Sequence, residues 1–203
     1  MSVVEIEVAP REALGKGGSR KLRAEGKVPA VLYGHRENPA ALTLDPHLFF
    51  KQLRSTGFGR NTLFKLKGLA REVTALVKDM QQDPVRWDLI HLDFVEVRDG
   101  DSVVVEVPVK VSGRAAGVIA GGSLAQSKRS MTVRCSPFNI PKSVDLDVTK
   151  LQLNDVIRVS DITLPDGAVS TESGRLAVVA VKESRASRQQ AAADAQEAAE
   201  GKK

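Results

Sequence analysis

With 203 residues, the chain is long enough for one large domain or two small ones, each with its own core. Hydrophobic residues at 42% and charged residues at 27% are ordinary for a globular protein, and no apolar run nears the roughly 20 residues of a membrane-crossing helix. The single cysteine, Cys135, excludes an internal disulfide framework and a cysteine-rich zinc site, while a net charge of +5 leans only weakly toward an anionic partner.

Period-2 alternation dominates, as in half-buried strands. In the first segment Val4, Ile6 and Val8 alternate with Glu5 and Glu7; without a basic start and an apolar core this is not a signal peptide, so a cytoplasmic location is expected. Gly15-Lys16-Gly17-Gly18-Ser19 reads as a flexible loop leading into a short helix of about Arg20 to Glu25, with Ser19 as N-cap and Gly26 just past the end. Strands are expected at Ala30–Tyr33 and Ala41–Leu44. A second helix starts at Asp45-Pro46, a cap followed by proline in the first turn, and places Phe49 and Leu53 four residues apart. Further strands are expected at Thr62–Lys67, Glu72–Met80 and Trp87–Val97. The segment reads as a small β-barrel or curled sheet with two helices.

The polar stretch Arg98-Asp-Gly-Asp-Ser102 is a break, after which Val103, Val105, Val107, Val109 and Val111 fall on one face of a new strand. Strands at Met131–Cys135, Val144–Val148, Val156–Val159 and Leu176–Val181 follow, punctuated by Gly121-Gly122, Pro137, Pro141 and Pro165-Asp-Gly167, so this part reads as all-β. From Ser184 no apolar side chain exceeds alanine, and a tail or frayed helix is expected. The organisation is therefore residues 1–97, 98–184 and 185–203, with no internal repeat.

Charge is concentrated near the start. Between Arg11 and Arg36 lie seven basic residues (Arg11, Lys16, Arg20, Lys21, Arg23, Lys27 and Arg36) and two acidic ones, Glu12 and Glu25. The glycine-rich loop, the helix dipole and these side chains would all face an anion brought there. The pattern is not a nucleotide-binding P-loop, because Gly17 follows Lys16 where a serine or threonine is required; the alternative is a solvated basic loop. Within Trp87–Phe94, if Ile90, Leu92 and Phe94 face the core, His91 and Asp93 project together from the other face. That pair could serve acid–base chemistry, but no serine or cysteine nucleophile or metal cluster accompanies it, and His35 and His47 sit in unrelated contexts. Hydrogen bonding to base edges or 2′-hydroxyls suits it better, an exposed polar pair being the plain alternative. Tyr33 could stack on a base or donate its hydroxyl, or simply rim the core. Lys78 could meet a phosphate and Gln81 a base edge, or both could belong to an ordinary strand-to-turn segment.

In this order and spacing, Arg11, Gly15-Lys16-Gly17, Ser19-Arg20, Leu22-Arg23, Gly26-x-x-Pro29-Ala-x-x-Tyr33-Gly34, Gln81-x-x-Pro84 and His91-x-Asp93-Phe94 closely resemble bacterial large-subunit ribosomal protein twenty-five. Val107-Pro-Val, Gly117-x-x-x-Gly-Gly122, Ile140-Pro141 and Val159-Ser-Asp-Ile162 look like the second domain of that family's long form, the general stress protein Ctc, so the resemblance spans nearly the whole chain. It implies a six-stranded N-terminal barrel that binds 5S rRNA in the central protuberance of the large subunit, largely from the minor-groove side. Arg11, Lys16, Ser19, Arg20, Arg23, Tyr33, Lys78, Gln81, His91 and Asp93 would face the RNA. It also implies other large-subunit proteins, and 23S rRNA, as partners of the second domain, with no enzymatic activity, cofactor, metal, small-molecule substrate or membrane. Some family members carry Arg-His-Pro where this chain has Gln82-Asp83-Pro84, so a phosphate contact would be lost there and Asp83 could repel. The competing readings are a ribosome-associated stress or assembly factor using the same face transiently, a hydrolase built on His91 and Asp93, and a protein-binding β-module centred on the second domain.

Overall fold

The computed structural model describes residues 3–12, 15–35, 39–165 and 167–183. The expected tail from Ser184, and Arg36 of the basic cluster, lie outside them. The described chain is mainly β and divides into two compact units: the first runs to Val105 and takes in Cys135–Lys142, and the second comprises Glu106–Arg134 and the chain from Ser143 on.

In the first unit the alternating segments form one sheet. Its strands are β1 (Val4–Glu7), β2 (Ala9–Pro10), β3 (Val28–Tyr33), β4 (Ala40–Leu44), β5 (Leu63–Lys67), β6 (Val73–Gln82) and β7 (Leu89–Glu96), in the order β1-β5-β6-β7-β3-β4-β2. The two outermost strands are halves of a single run. β1 pairs parallel with β5, Val4 opposite Phe64; after Val8 the chain changes partner and β2 pairs antiparallel with β4, Ala9 opposite Thr43. The Val8 amide donates to the Lys67 carbonyl (2.8 Å) and the Arg11 amide to the Ala41 carbonyl (3.0 Å), carrying the pairing across the switch. Counted as one strand, the run makes the sheet a nearly closed six-stranded barrel, and closure removes the exposed edges that an open sheet would present. Gly68 is required at this seam: its φ is +95°, and a Cβ there would lie 2.1 Å from the Val8 carbonyl oxygen.

The interior is filled by the inward residues of this alternation, among them Ile6, Ala30, Leu32, Leu42, Phe64, Leu66, Leu92 and Phe94. Helix α2 (Pro46–Thr56) packs onto it through Phe49, whose ring stacks on Phe64 (5.4 Å) and meets Phe94 edge-on (6.4 Å). Its start is as the sequence reads: Asp45 Oδ1 accepts from the His47 amide at 2.7 Å with Pro46 in the first turn, and Gly57 ends it at φ +69°.

Helix α1 (Gly15–Ala24) departs from the expectation. It begins at Gly15, so the presumed loop is its first turn and Ser19 is an interior residue, not a cap. Three glycines in ten residues cost about 1 kcal/mol each relative to alanine and carry no apolar periodicity, which hid the turn from the sequence. The exit is as expected: the Lys27 amide reaches back to the Leu22 carbonyl (3.0 Å) around Gly26.

Two smaller sheets follow, formed mostly by residues of the second unit. One, in the order β11-β8-β10-β13, contains β8 (Val103–Ser112), β10 (Ser130–Cys135), β11 (Val144–Asp147) and β13 (Val169–Ser170); the other, β12-β14-β9, contains β9 (Gly122–Gln126), β12 (Val156–Arg158) and β14 (Ala177–Glu183). Val107 and Val109 are buried between exposed Glu106, Pro108 and Lys110, the alternation read from sequence. A four-residue helix, α3 (Ala116–Ile119), interrupts what reads as all-β, and β9 follows where only a turn signal was seen. Gly117 explains the helix: a Cβ there would lie 2.6 Å from the Gln152 carbonyl carbon, so only glycine lets this turn pack beside the chain at Gln152 and Leu153.

Candidate nucleic-acid interface

Two groups of polar residues project from the first unit. The first lies on α1, which has no acidic residue in its first turn and no buried residue. Lys16, Arg20 and Arg23 follow one another at four and three residues, so they share a helical face, and all are exposed. Like charges at these spacings repel, and no ion pair to them is present among the described residues. Because the helix begins at Gly15, three of its first four amides belong to glycines, with no side chain to cover them. Arg11 is tied to this helix: its Nη1 donates to Ser19 Oγ at 3.2 Å, while its Nε is buried with no partner among the described residues. Ser19 thus has a structural task that the capping assignment missed, holding the Arg11 guanidinium against the helix.

The second group lies on three adjacent strands, β6, β7 and β3. Register places Gln81 opposite His91 and Asp79 opposite Asp93 across β6 and β7, and Val31 beside Asp93 across β7 and β3. His91 Nδ1 and Asp93 Oδ1 are 2.7 Å apart, with 27% and 33% of their side chains exposed, confirming that the two project together. The expected inward set holds for Leu92 and Phe94, but Ile90 is half-buried and Leu89 takes the core position, because the β6–β7 register shifts between Gln81 and Gln82. A second shift between Val77 and Asp79 leaves Lys78 as the extra residue of a bulge, exposed at the edge of the polar patch. Burial, then the nearby Asp93 and Asp79 carboxylates, push the Tyr33 hydroxyl above its ordinary value, so it is a hydrogen-bond donor at neutral pH.

All ten sequence-derived candidates are therefore placed. Lys16, Ser19, Arg20 and Arg23 gather on α1 with Arg11 attached, and Tyr33, Lys78, Gln81, His91 and Asp93 gather on the sheet. Helix α1 packs beside β3, the strand that carries Tyr33, which puts the two groups on neighbouring elements.

Three features escaped the sequence reading. Asp79 faces Asp93 across the strands, a like-charged pair that is unfavourable alone, and only the register reveals it. Glu96, next inward after Leu92 and Phe94, is 3% exposed and held by Arg71 Nη2 (2.5 Å) and Arg98 Nη2 (3.0 Å). Asp83 does not present a bare charge in the departing Gln82-Asp83-Pro84 turn: its Oδ1 accepts from the Val85 and Arg86 amides at 2.8 and 2.9 Å, and these bonds hold its carboxyl below the usual range.

Comparison with known proteins agrees with this architecture. Residues 6–94 match the Ribosomal L25p family and residues 102–185 match the family described as Ribosomal protein TL5, C-terminal domain. The chain is similar to large ribosomal subunit protein bL25 of Desulforudis audaxviator, at 35% identity over 88% of this chain and 86% of the relative. It is also similar to bL25 of Syntrophotalea carbinolica, at 36% over 89% and 88%, and of an Anaeromyxobacter species, at 40% over 80% and 68%. With a β-barrel that carries the expected polar groups, followed by a second β unit, and with relatives matched along most of its length, the chain belongs to the bL25 family of large ribosomal subunit proteins, in its long form.

Proposed function

We propose that this chain binds 5S rRNA in the central protuberance of the large ribosomal subunit, with α1 neutralising phosphates and the β6–β7–β3 face reading the minor groove. Family membership makes it a structural ribosomal component rather than an enzyme, ribosome-associated in the bacterial cytoplasm. The observation that carries the RNA reading is the placing, on neighbouring elements, of a cationic helix face with no ion pair among the described residues and a strand face that carries both donors and acceptors. A-form RNA hides its major groove and displays 2′-hydroxyls and base edges in a wide, shallow minor groove, which a gently curved sheet can meet. Arginines and lysines would then fix position, and Tyr33, Gln81, His91 and Asp93 would fix the site. The Asp79–Asp93 pair suits this role, since both carboxylates would accept from amino groups on base edges. For the second unit we propose contacts with neighbouring large-subunit proteins or 23S rRNA.

The test is a gel shift of the full chain with 5S rRNA against an unrelated RNA duplex of equal length at moderate salt. Preferential retention of 5S rRNA is expected; equal retention of both removes the proposal. Sedimentation of salt-washed large subunits separates a subunit component, which stays bound, from a transient assembly or stress factor, which leaves.

A further inference from the structure

The turn between β6 and β7 holds the chain's single tryptophan, and it holds it outward. Trp87 is 71% exposed, unusual for an indole, and its φ is +61°, a conformation that bulky residues seldom adopt. The turn is nevertheless firmly bonded: the Trp87 amide donates to the Asp83 carbonyl (2.9 Å) and the Asp83 amide to the Asp88 carbonyl (2.8 Å), with Asp83 Oδ1 capping Val85 and Arg86. The ring is displayed by a fixed frame.

Its surroundings are cationic. His47, Lys51 and Arg54 recur at four and three residues along α2, so they form one stripe, and all line a surface hollow with Phe50 and Trp87. An adjoining hollow that shares His47, Phe50 and Trp87 brings in Arg23, Lys27 and Arg86. Five permanent cations therefore surround one open indole. The acids present are Asp83, which is committed to its turn, and Asp88. No ion pair engages any of the five cations, and no cation lies over the indole, among the described residues.

We infer that this hollow is a second RNA contact, in which Trp87 stacks on an unpaired base while Lys51 and Arg54 hold the flanking phosphates. Stacking on aromatic rings combined with backbone neutralisation is how proteins hold single-stranded nucleic acid, because every base offers a flat face. An acidic peptide would meet the same cations but would gain little from an indole that presents no enclosing pocket. The contact lies outside the α1 and sheet residues assigned to 5S rRNA, sharing only Arg23 with them. Its ligand class is also different: an unstacked nucleotide rather than a helical minor groove.

Because Trp87 is the only tryptophan, its emission reports on this hollow alone. The full chain is titrated with hexauridylate at low salt and emission is followed. Saturable quenching is expected, weakened at least about fivefold by Lys51→Glu with Arg54→Glu and changed less than about twofold by Arg20→Ala. Should the charge reversals perturb the far-ultraviolet circular dichroism, Lys51→Gln with Arg54→Gln replaces them. Absence of quenching, unchanged quenching in the α2 variants, or quenching by a polyaspartate peptide but not by the oligonucleotide each overturns the inference. Loss of 5S preference in the gel shift with hexauridylate quenching intact would remove the 5S proposal and leave this one standing.

Discussion

The α1 face and the strand face of the barrel handle charge in opposite ways. Lys16, Arg20 and Arg23 repel one another along α1 and have no ion-pair partner among the described residues, whereas His91 and Asp93 answer each other at 2.7 Å and Tyr33 sits beside two carboxylates. A surface left unbalanced by its own fold gains most from any polyanion. A surface whose donors and acceptors are partly paired with each other gains most from a partner whose own groups fit that pattern. The first kind supplies affinity and the second discrimination, and the two should separate in experiment.

The largest effect should come from the scaffold that both faces share. Arg71→Ala combined with Arg98→Ala removes both guanidiniums from buried Glu96 and should cost on the order of 3 kcal/mol or more of stability in urea denaturation. Both RNA functions should fall together as the barrel loosens; selective loss of one would show that the faces do not depend on a common frame. Next, Arg20→Ala with Arg23→Ala should shallow the slope of log K against log salt by about 1.4 to 1.8, from a parent value of about −3.5 to −4.5 if roughly five phosphates are neutralised. Its preference for 5S over unrelated duplex should barely move. His91→Ala or Asp93→Ala should do the reverse, reducing that preference by about 1 to 2 kcal/mol with little change in slope. If all four substitutions weaken every RNA equally, the contrast between the faces is wrong.

The smallest effect concerns the His35–Asp101 pair, 2.7 Å apart. The His35 hydrogen bond, and then the Arg98 amide, hold the Asp101 carboxyl below its ordinary range. Its stabilisation is therefore complete above the unfolded-chain value near 4 and is lost as pH falls through the depressed native value. Asp101→Asn should flatten the acid limb of the pH–stability curve slightly and leave the neutral region and RNA binding unchanged.

How much of this was legible in the sequence depended on periodicity. The barrel strands announce themselves because Val4, Ile6 and Val8, or Leu92 and Phe94, alternate with polar residues, and α2 does so through Asp45, Pro46 and the spacing of Phe49 and Leu53. The early start of α1 was hidden because Gly15, Gly17 and Gly18 carry no pattern, and α3 because four residues are too few to show one. The order of the motifs named the candidate residues, but their spatial organisation was not legible. The bulge at Lys78 and the confrontation of Asp79 with Asp93 both depend on cross-strand register, which a single chain read end to end does not encode locally.

The N-terminal run that changes partner at Val8 carries a consequence for any shortened form of the protein. In an ordinary open sheet, trimming a terminal strand bares one flank. Here residues 4–10 cover β5 on one side and β4 on the other. Their removal would unzip the cylinder and leave two rows of unpaired amides and carbonyls, each a template on which a second molecule could add its own strand.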